Sequence, residues 1–372
     1  MNRVCTGCIG DEDLKIWIRE QEGGRGCDYC NTHQAPTADL EKLCDYITSC
    51  IGQYWGTAVE QLPYESREGG YQAETLDTYD VLFEEIMLEL PRDRTDRLRM
   101  DIINGVEDEL WCAYDWLTLD QDEAMISSWS RFCEKVKHDR RFFFMGEERD
   151  LDDRDSYTPL ELLQSIARYS QRYDLIQDIP AGTALYRARD DLDKPNPQAD
   201  QYGPPPTTVC QSNRMNPAGI PMFYGAFKRG TAVSEVKAKK AAVGRFTTKY
   251  SLRLLDLTRL PRKPGYFAPV ERDVAMQLSF LNHFSSAIMK PVERDNLVHV
   301  DYAPSQIVTE YLRDYPFSDG PIDGVLYGSV AVPGTKNVVL FLDTLDARAP
   351  SAARGLGSPL KFTGASMHKL TK

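Results

Sequence analysis

Apolar positions recur at helical spacing through the first part of the chain. Leu40, Leu43, Cys44, Ile47 and Ile51 form one stripe, opened by Pro36-Thr37; Leu82, Phe83, Ile86, Met87 and Leu90 form a second, ended by Pro91. Met125, Trp129, Phe132, Cys133 and Val136 form a third. Steps of three and four put such side chains on one helix face. Together the stripes predict a small helical bundle over residues 35–150. Thr158-Pro159 then supplies an N-cap and a first-turn proline for another helix, with Leu160, Leu163, Ile166 and Ala167 inward. From about residue 180 the texture changes to short strands and glycine turns. Ala184–Arg189 reads as a strand with Arg187 and Arg189 on one face and Tyr186 on the other. A strand bearing Tyr224 follows, then a helix from near Thr231 that carries Glu235. A helix from Ser305 to Tyr315 turns Ile307, Val308, Tyr311 and Leu312 inward. Strands Ile322–Ser329 and Asn337–Leu342 are joined through Pro333-Gly334.

This order is that of an α+β protein: a cysteine-bearing segment at 1–34, a helical domain at 35–150, a mixed α/β domain at 155–345 and a tail at 346–372. The tail is Gly-, Ser- and Ala-containing and basic, and is expected to be disordered. The run from Glu147 to Asp155 is expected to be a solvated linker. No stretch of about 18 apolar residues occurs, so no membrane span is expected. The first residues lack an apolar leader core, and the expected compartment is the cytoplasm.

Charge divides the chain as the texture does. Over 372 residues, 44 Lys and Arg face 56 Asp and Glu, a net charge of −12. Residues 1–155 hold 36 acidic and 17 basic side chains, net −19, which leaves the remainder at +7. An anionic ligand is therefore expected after residue 155, and nucleic acid is disfavoured as a partner of the acidic half.

Nine cysteines are present, and four of them form Cys5-x-x-Cys8 and Cys27-x-x-Cys30 with 18 residues between the pairs. Two such knuckles can close a tetrahedral shell of four thiolates, the arrangement of structural zinc. Four ordinary thiols or a redox pair are the competing readings, and the two pairs at ribbon spacing favour zinc. Cys44 lies on an apolar stripe and reads as core. A second constellation is Arg131 with His138, seven positions apart on a predicted helix. Such a pair could neutralise a phosphodiester and move a proton, as in HEPN ribonucleases. The spacing is loose and the surrounding charge opposes RNA, so two surface side chains are the favoured reading.

The basic half carries an ordered motif set: Tyr186-Arg187, then Arg214-x-Asn216-Pro217-x-Gly219-x-Pro221 with Phe223-Tyr224. Glu235 follows eleven positions after Tyr224, and Tyr327-x-Ser329 precedes Gly334-x-Lys-Asn-Val-Val-Leu-Phe341. Over about residues 180–343 this set resembles the RES domain, a family named for an Arg, a Glu and a Ser that includes the toxins of Xre-RES toxin–antitoxin pairs. The first half, with its CxxC pairs and the block Trp129, Phe132, His138 and Arg141-Phe-Phe-Phe144, is similar to the HEPN-like domain fused to some RES domains.

The resemblance implies an ADP-ribosyltransferase-like fold that binds NAD and cleaves its nicotinamide–ribose bond, by hydrolysis or phosphorolysis. NAD would be the substrate, and zinc a structural ion on Cys5, Cys8, Cys27 and Cys30. Arg187, Glu235 and Ser329 are the implied catalytic residues; Arg187, Arg214, Tyr224, Tyr186 and Asn216 are the implied NAD-binding residues. Some members carry an aromatic residue directly after the first Arg, whereas this chain has Ala188, leaving Tyr186 or Tyr224 to stack on nicotinamide. Arg187 and Arg214 suit bidentate pyrophosphate binding, and Glu235 suits a positive ribosyl centre. The alternatives are mono-ADP-ribosylation of a protein and a HEPN-type ribonuclease whose RES half senses a ligand. An antitoxin or regulatory protein and a second copy of the chain are the candidate protein partners. No GxGxxG follows a strand, and no HExxH, GxSxG or P-loop pattern occurs.

Overall fold

The computed structural model describes residues 1–372 except 1, 22–23, 25, 68, 107–108, 115, 147, 150–151, 291–297, 347, 352–356 and 370–372. The chain divides into two units, residues 1–123 with 262–279 and residues 124–261 with 280–372.

The first unit interleaves helices with short strand pairs. β1 (Arg3–Cys5) and α1 (Glu12–Glu20) precede β2 (Thr37–Asp39) and α2 (Leu40–Ile51). β3 (Trp55–Thr57), α3 (Ala58–Gln61), β4 (Tyr64–Glu65), β5 (Gly70–Tyr71), α4 (Arg97–Gly105) and β6 (Trp111–Ala113) follow. β1 pairs antiparallel with β2, β3 with β6, and β4 with β5. The expected helix at Pro36-Thr37 begins later, because Thr37–Asp39 is held as a strand against β1 and Asp39 becomes the N-cap, accepting from Glu41 N. The stripe of α2 is as expected: Leu43, Cys44, Ile47 and Ile51 are buried with Leu14, Ile18, Leu98, Ile102 and Phe267. Each such side chain contributes about 1.5–3 kcal/mol when removed from water.

The second stripe departs from expectation at Met87. Asp80–Glu85 forms a π-helical turn, with Ile86 N bonded to Val81 O at 3.0 Å. The wider turn shifts the phase of the repeat. Met87 then adopts a φ of 56° and is 72% exposed.

The second unit is built on one mixed sheet. α5 (Gln121–His138) and α6 (Pro159–Arg172) lead to β7 (Ile176–Ile179), β8 (Ala184–Arg189) and β9 (Phe223–Ala226). α7 (Arg229–Glu235), β10 (Lys240–Thr248), β11 (Leu252–Asp256), α8 (Arg272–Met289, of which residues 280–289 fall in this unit), α9 (Val298–Asp301) and α10 (Ala303–Asp314) come next, then β12 (Gly324–Gly328), β13 (Lys336–Leu340) and β14 (Leu360–Lys369). The eight strands lie in the order β14-β10-β8-β9-β13-β12-β11-β7. Among the described residues only the β11–β12 pair is parallel.

Thr158 caps α6 through a full capping box with Glu161, and Pro159 stands in the first turn as the sequence implies. Trp129, Phe132 and Val136 of α5 pack with Leu162, Leu163 and Ile166 of α6 and Val308 and Leu312 of α10. The helix expected to close the first half therefore builds its apolar stripe into the second unit, because its partners are the helices that follow it.

The tail corrects the expectation of disorder. Of residues 346–372, those at 347, 352–356 and 370–372 lie outside the described residues, but 360–369 form β14, paired along the length of β10. Strand pairing supplies the backbone bonds, and the Phe362 ring packs 5.3 Å from Phe246 and 5.8 Å from Tyr202. Gly364, at φ 126°, sits where the register shifts at Arg245/Phe246. Such a φ at a bulge favours glycine, so a residue that looks like a flexible tail is part of the strand.

Candidate functional site

Neighbouring strands β8 and β9 share a single paired position, Tyr186 with Ala226. Beyond it they separate, and a cavity of about 400 Å³ is lined by residues of both. Tyr186, Arg187, Ala188 and Arg189 come from β8, Tyr224 and Ala226 from β9, and Glu235 from the end of α7. Tyr327 of β12 and Asn337 of β13, paired in register, complete the wall with Gln211 and Asn213. An α+β sheet thus brings together residues spread over about 150 positions of sequence, from Tyr186 to Asn337.

Glu235 is held in the cavity by two hydrogen bonds. Its Oε1 accepts from Ser329 Oγ at 2.6 Å and from Asn337 Nδ2 at 2.7 Å. Ser329 Oγ in turn accepts from Val332 N at 3.0 Å, so its own proton is committed to the carboxylate. Among the described residues no hydrogen bond engages Oε2.

Arg187 is the opposite case. Its Nη1 is buried with no hydrogen-bond partner among the described residues, and its guanidinium lies 5.6 Å from the Phe223 ring centroid. Burial, then the neighbouring Arg189, pulls its pKa below the ordinary value. A half-buried cation with an unpartnered buried N–H group suits an anion, because charge-assisted bonds gain most where water is excluded. Arg189 also lines the cavity, but its Nε and Nη2 donate to the Gln201 and Gly203 carbonyls at 2.9 and 3.4 Å.

Tyr186, Tyr224 and Tyr327 all line the cavity. Burial raises the Tyr224 hydroxyl, as does Tyr327 nearby; burial and Glu235 raise that of Tyr327. Both therefore stay protonated at neutral pH. Ala188 offers no ring at its place on the wall, to which Tyr186, Tyr224 and Tyr327 contribute the aromatic residues.

Two expected binding residues lie elsewhere. Asn216 is buried outside the cavity wall: its Oδ1 accepts from the Tyr224 hydroxyl at 2.8 Å, while its Nδ2 donates to Gln211 O at 3.2 Å and Pro217 O at 2.9 Å. Asn216 therefore shapes the loop and holds Tyr224. Arg214 is not among the lining residues; its Nη1 donates to Ile288 O at 2.7 Å and Lys290 O at 3.2 Å, and its guanidinium lies 5.7 Å from the Tyr302 ring centroid. Carbonyls at the end of α8 thus hold one nitrogen of the guanidinium expected to bind pyrophosphate. Asn337 and Tyr327 are the residues the motif reading passed over, although both lie inside its quoted segments.

In the first unit, Cys5, Cys8, Cys27 and Cys30 converge with all four Sγ atoms within 4.8 Å of one another. Adjacent sulfurs lie 3.8 Å apart for Cys5–Cys8, 3.5 Å for Cys5–Cys30 and 3.7 Å for Cys8–Cys27. A tetrahedron with metal–sulfur bonds of about 2.3 Å puts its sulfurs about 3.8 Å apart, so the set fits zinc. Burial, then the neighbouring sulfurs, pushes the Cys5 thiol up to about 11, a repulsion that a central dication reverses. At Cys30 burial opposes ionisation, but the Thr32 N–H and the Arg92 guanidinium, 3.7 Å from Sγ, bring the thiol down to about 6.

Arg131 and His138 are surface groups with local partners. Arg131 Nη2 donates to Ser128 Oγ at 3.0 Å, and His138 Nε2 lies 3.9 Å from Glu134. Among the described residues no hydrogen bond or ion pair joins the two, and neither lines the cavities described, so the geometry adds nothing to a ribonuclease reading. Among those residues, too, no helix is long and apolar enough to cross a membrane.

No curated protein and no solved structure matches the chain. Two family models do: HEPN/RES N-terminal domain 1 over residues 20–150 and the RES domain over residues 184–359. The second interval contains every residue of the β8–β9 cavity wall. The chain thus carries a HEPN/RES N-terminal domain followed by a RES domain.

Proposed function

We propose that the β8–β9 cavity binds NAD and cleaves the bond between nicotinamide and ribose. The observation that carries this reading is the pairing, in one cavity, of a guanidinium whose buried Nη1 lacks a partner with a carboxylate anchored by one oxygen only. Arg187 would take a pyrophosphate oxygen, with Arg189 adding positive field. Hydrogen bonds to a charged group contribute about 1.5–3 kcal/mol each. The tyrosine rings would flank nicotinamide.

Cleavage breaks the bond between ribose C1′ and the nicotinamide nitrogen, and the electron pair leaves with neutral nicotinamide. Positive charge then builds on the ribosyl carbon, as in glycoside cleavage. Glu235 Oε2 would face that charge, and electrostatic stabilisation of this kind lowers the barrier by several kcal/mol. Water then adds to C1′ and gives up a proton to solvent, or phosphate adds through an anionic oxygen with no proton to lose. Loss of the dinucleotide would make the protein toxic when unrestrained, and a partner protein covering the cavity would be the natural restraint. The four thiolates would hold zinc in a closed, structural site.

The test is nicotinamide release from NAD by purified protein, with and without phosphate. Wild-type release that is lost in Glu235→Ala supports the reading; no release under either condition overturns it. Labelled ADP-ribose appearing on a protein, with little free product, would favour transfer to a protein instead.

A further inference from the structure

We propose that Asn337 is a positioning residue that clamps the Glu235 carboxylate through one oxygen, with Ser329 as its companion, so that the other oxygen is presented to the substrate. The inference rests on the NAD-cleaving reading. Its basis is the convergence of two donors, Asn337 Nδ2 at 2.7 Å and Ser329 Oγ at 2.6 Å, on the same Oε1.

The directions of these bonds are fixed by chemistry. An ionised carboxylate only accepts, so the Asn337 amide must turn its nitrogen toward Glu235. The Val332 N–H fills an acceptor position of Ser329 Oγ, which leaves the hydroxyl proton for Oε1. Ser329 is thereby a donor to Glu235 and not a free nucleophile. Two donors arriving from different strand ends fix the rotation of the carboxylate plane.

The carboxylate needs that support. Glu235 is the last residue of α7, whose last turn carries no basic side chain. The carbonyl end of a helix is a poor place for negative charge. Donors from β13 and the end of β12 replace what the helix does not supply.

Asn337 is also a costly choice for packing. It is 4% exposed, and its Oδ1 is buried with no partner among the described residues. A buried acceptor without a donor weakens a fold and is retained where function requires it. A role in packing alone would be better served by an apolar side chain at this place in the sheet. Asn337 holds its position at a cost, and the group it serves is Glu235.

Asn337→Ala and Asn337→Asp, assayed for nicotinamide release and melted in parallel, test the clamp. Asn337→Ala should lower kcat by about ten- to a hundred-fold, with KM nearly unchanged and a melting temperature no lower than wild type. Asn337→Asp, of the same shape but with a carboxylate facing Glu235, should lower kcat further. Wild-type kcat in Asn337→Ala, or a melting temperature that falls in step with activity, overturns the clamp while leaving the NAD reading intact. A wild-type protein that releases no nicotinamide overturns both, and is told apart by the inactivity of the parent.

Discussion

The Tyr224 hydroxyl donates to Asn216 Oδ1 at 2.8 Å and accepts from the Met215 N–H at 3.2 Å, which fixes the polar end of a residue that lines the cavity. Removing that hydroxyl leaves two groups without their partner, a loss of about 1–3 kcal/mol. Tyr224→Phe should therefore melt several degrees lower, at about 2–4 °C per kcal/mol, while KM for NAD changes little. A large rise in KM without a fall in melting temperature would instead put the hydroxyl on the substrate.

Arg187 should behave in the opposite way. Its buried Nη1 lacks a partner, so Arg187→Leu removes an uncompensated group and should leave the ligand-free protein as stable as wild type. Affinity for NAD should fall at least about tenfold, since each tenfold is about 1.4 kcal/mol. Calorimetric titration with ADP-ribose, which keeps the pyrophosphate, measures this without turnover. Equal binding by the two proteins would remove Arg187 from the anion site.

Buried thiols set an alkaline limit on stability. Burial, the dominant influence, pushes the Cys133 and Cys44 thiols up from 9.0 to about 12. The folded value lies above the unfolded one, so each contribution is complete below pH about 9 and is lost as pH rises toward about 12. Over that window each thiol steepens the fall by up to about 1.4 kcal/mol per pH unit. Melting temperatures compared between pH ~8 and pH ~10.5 should drop less in Cys133→Val than in wild type. Parallel curves for the two proteins would contradict this.

The cysteine cluster makes a stoichiometric prediction. Purified protein should contain one zinc per chain, and Cys27→Ser should lose it together with thermal stability, because metal-binding energy at such a site is folding energy. A zinc-free protein that is folded and indifferent to strong chelators would exclude the site.

Ending the chain after Ser358 removes β14. The edge of β10 would then be open, and Phe246 and Tyr202 would lose the Phe362 ring packed at 5.3 and 5.8 Å. Such an edge invites pairing between chains. Light scattering on heating should show earlier aggregation than in the full chain; identical melting and scattering would make the strand dispensable.

The sequence by itself determined the elements whose side chains repeat with the backbone. The stripes of α2, α5, α6 and α10, and the cap at Thr158, could be read because burial on one face leaves a periodic record. The four cysteines could be read because spacing alone lets two knuckles share an ion. Arg187, Glu235 and Ser329 could be singled out only as members of an ordered set, since each residue type is common. Tertiary structure decided the rest. The π-helical turn before Met87 breaks the period that placed it inside, and β14 draws its order from β10 rather than from its own composition. Arg214 Nη1 is held by the Ile288 and Lys290 carbonyls, contacts between segments about 75 positions apart that no local pattern encodes. Asn337 meets Glu235 only because β9 and β13 pair in register and α7 follows β9. A hydrogen bond across about 100 positions is a property of the sheet order. Residue types can be read from the chain; which partner satisfies each of them depends on long-range pairing.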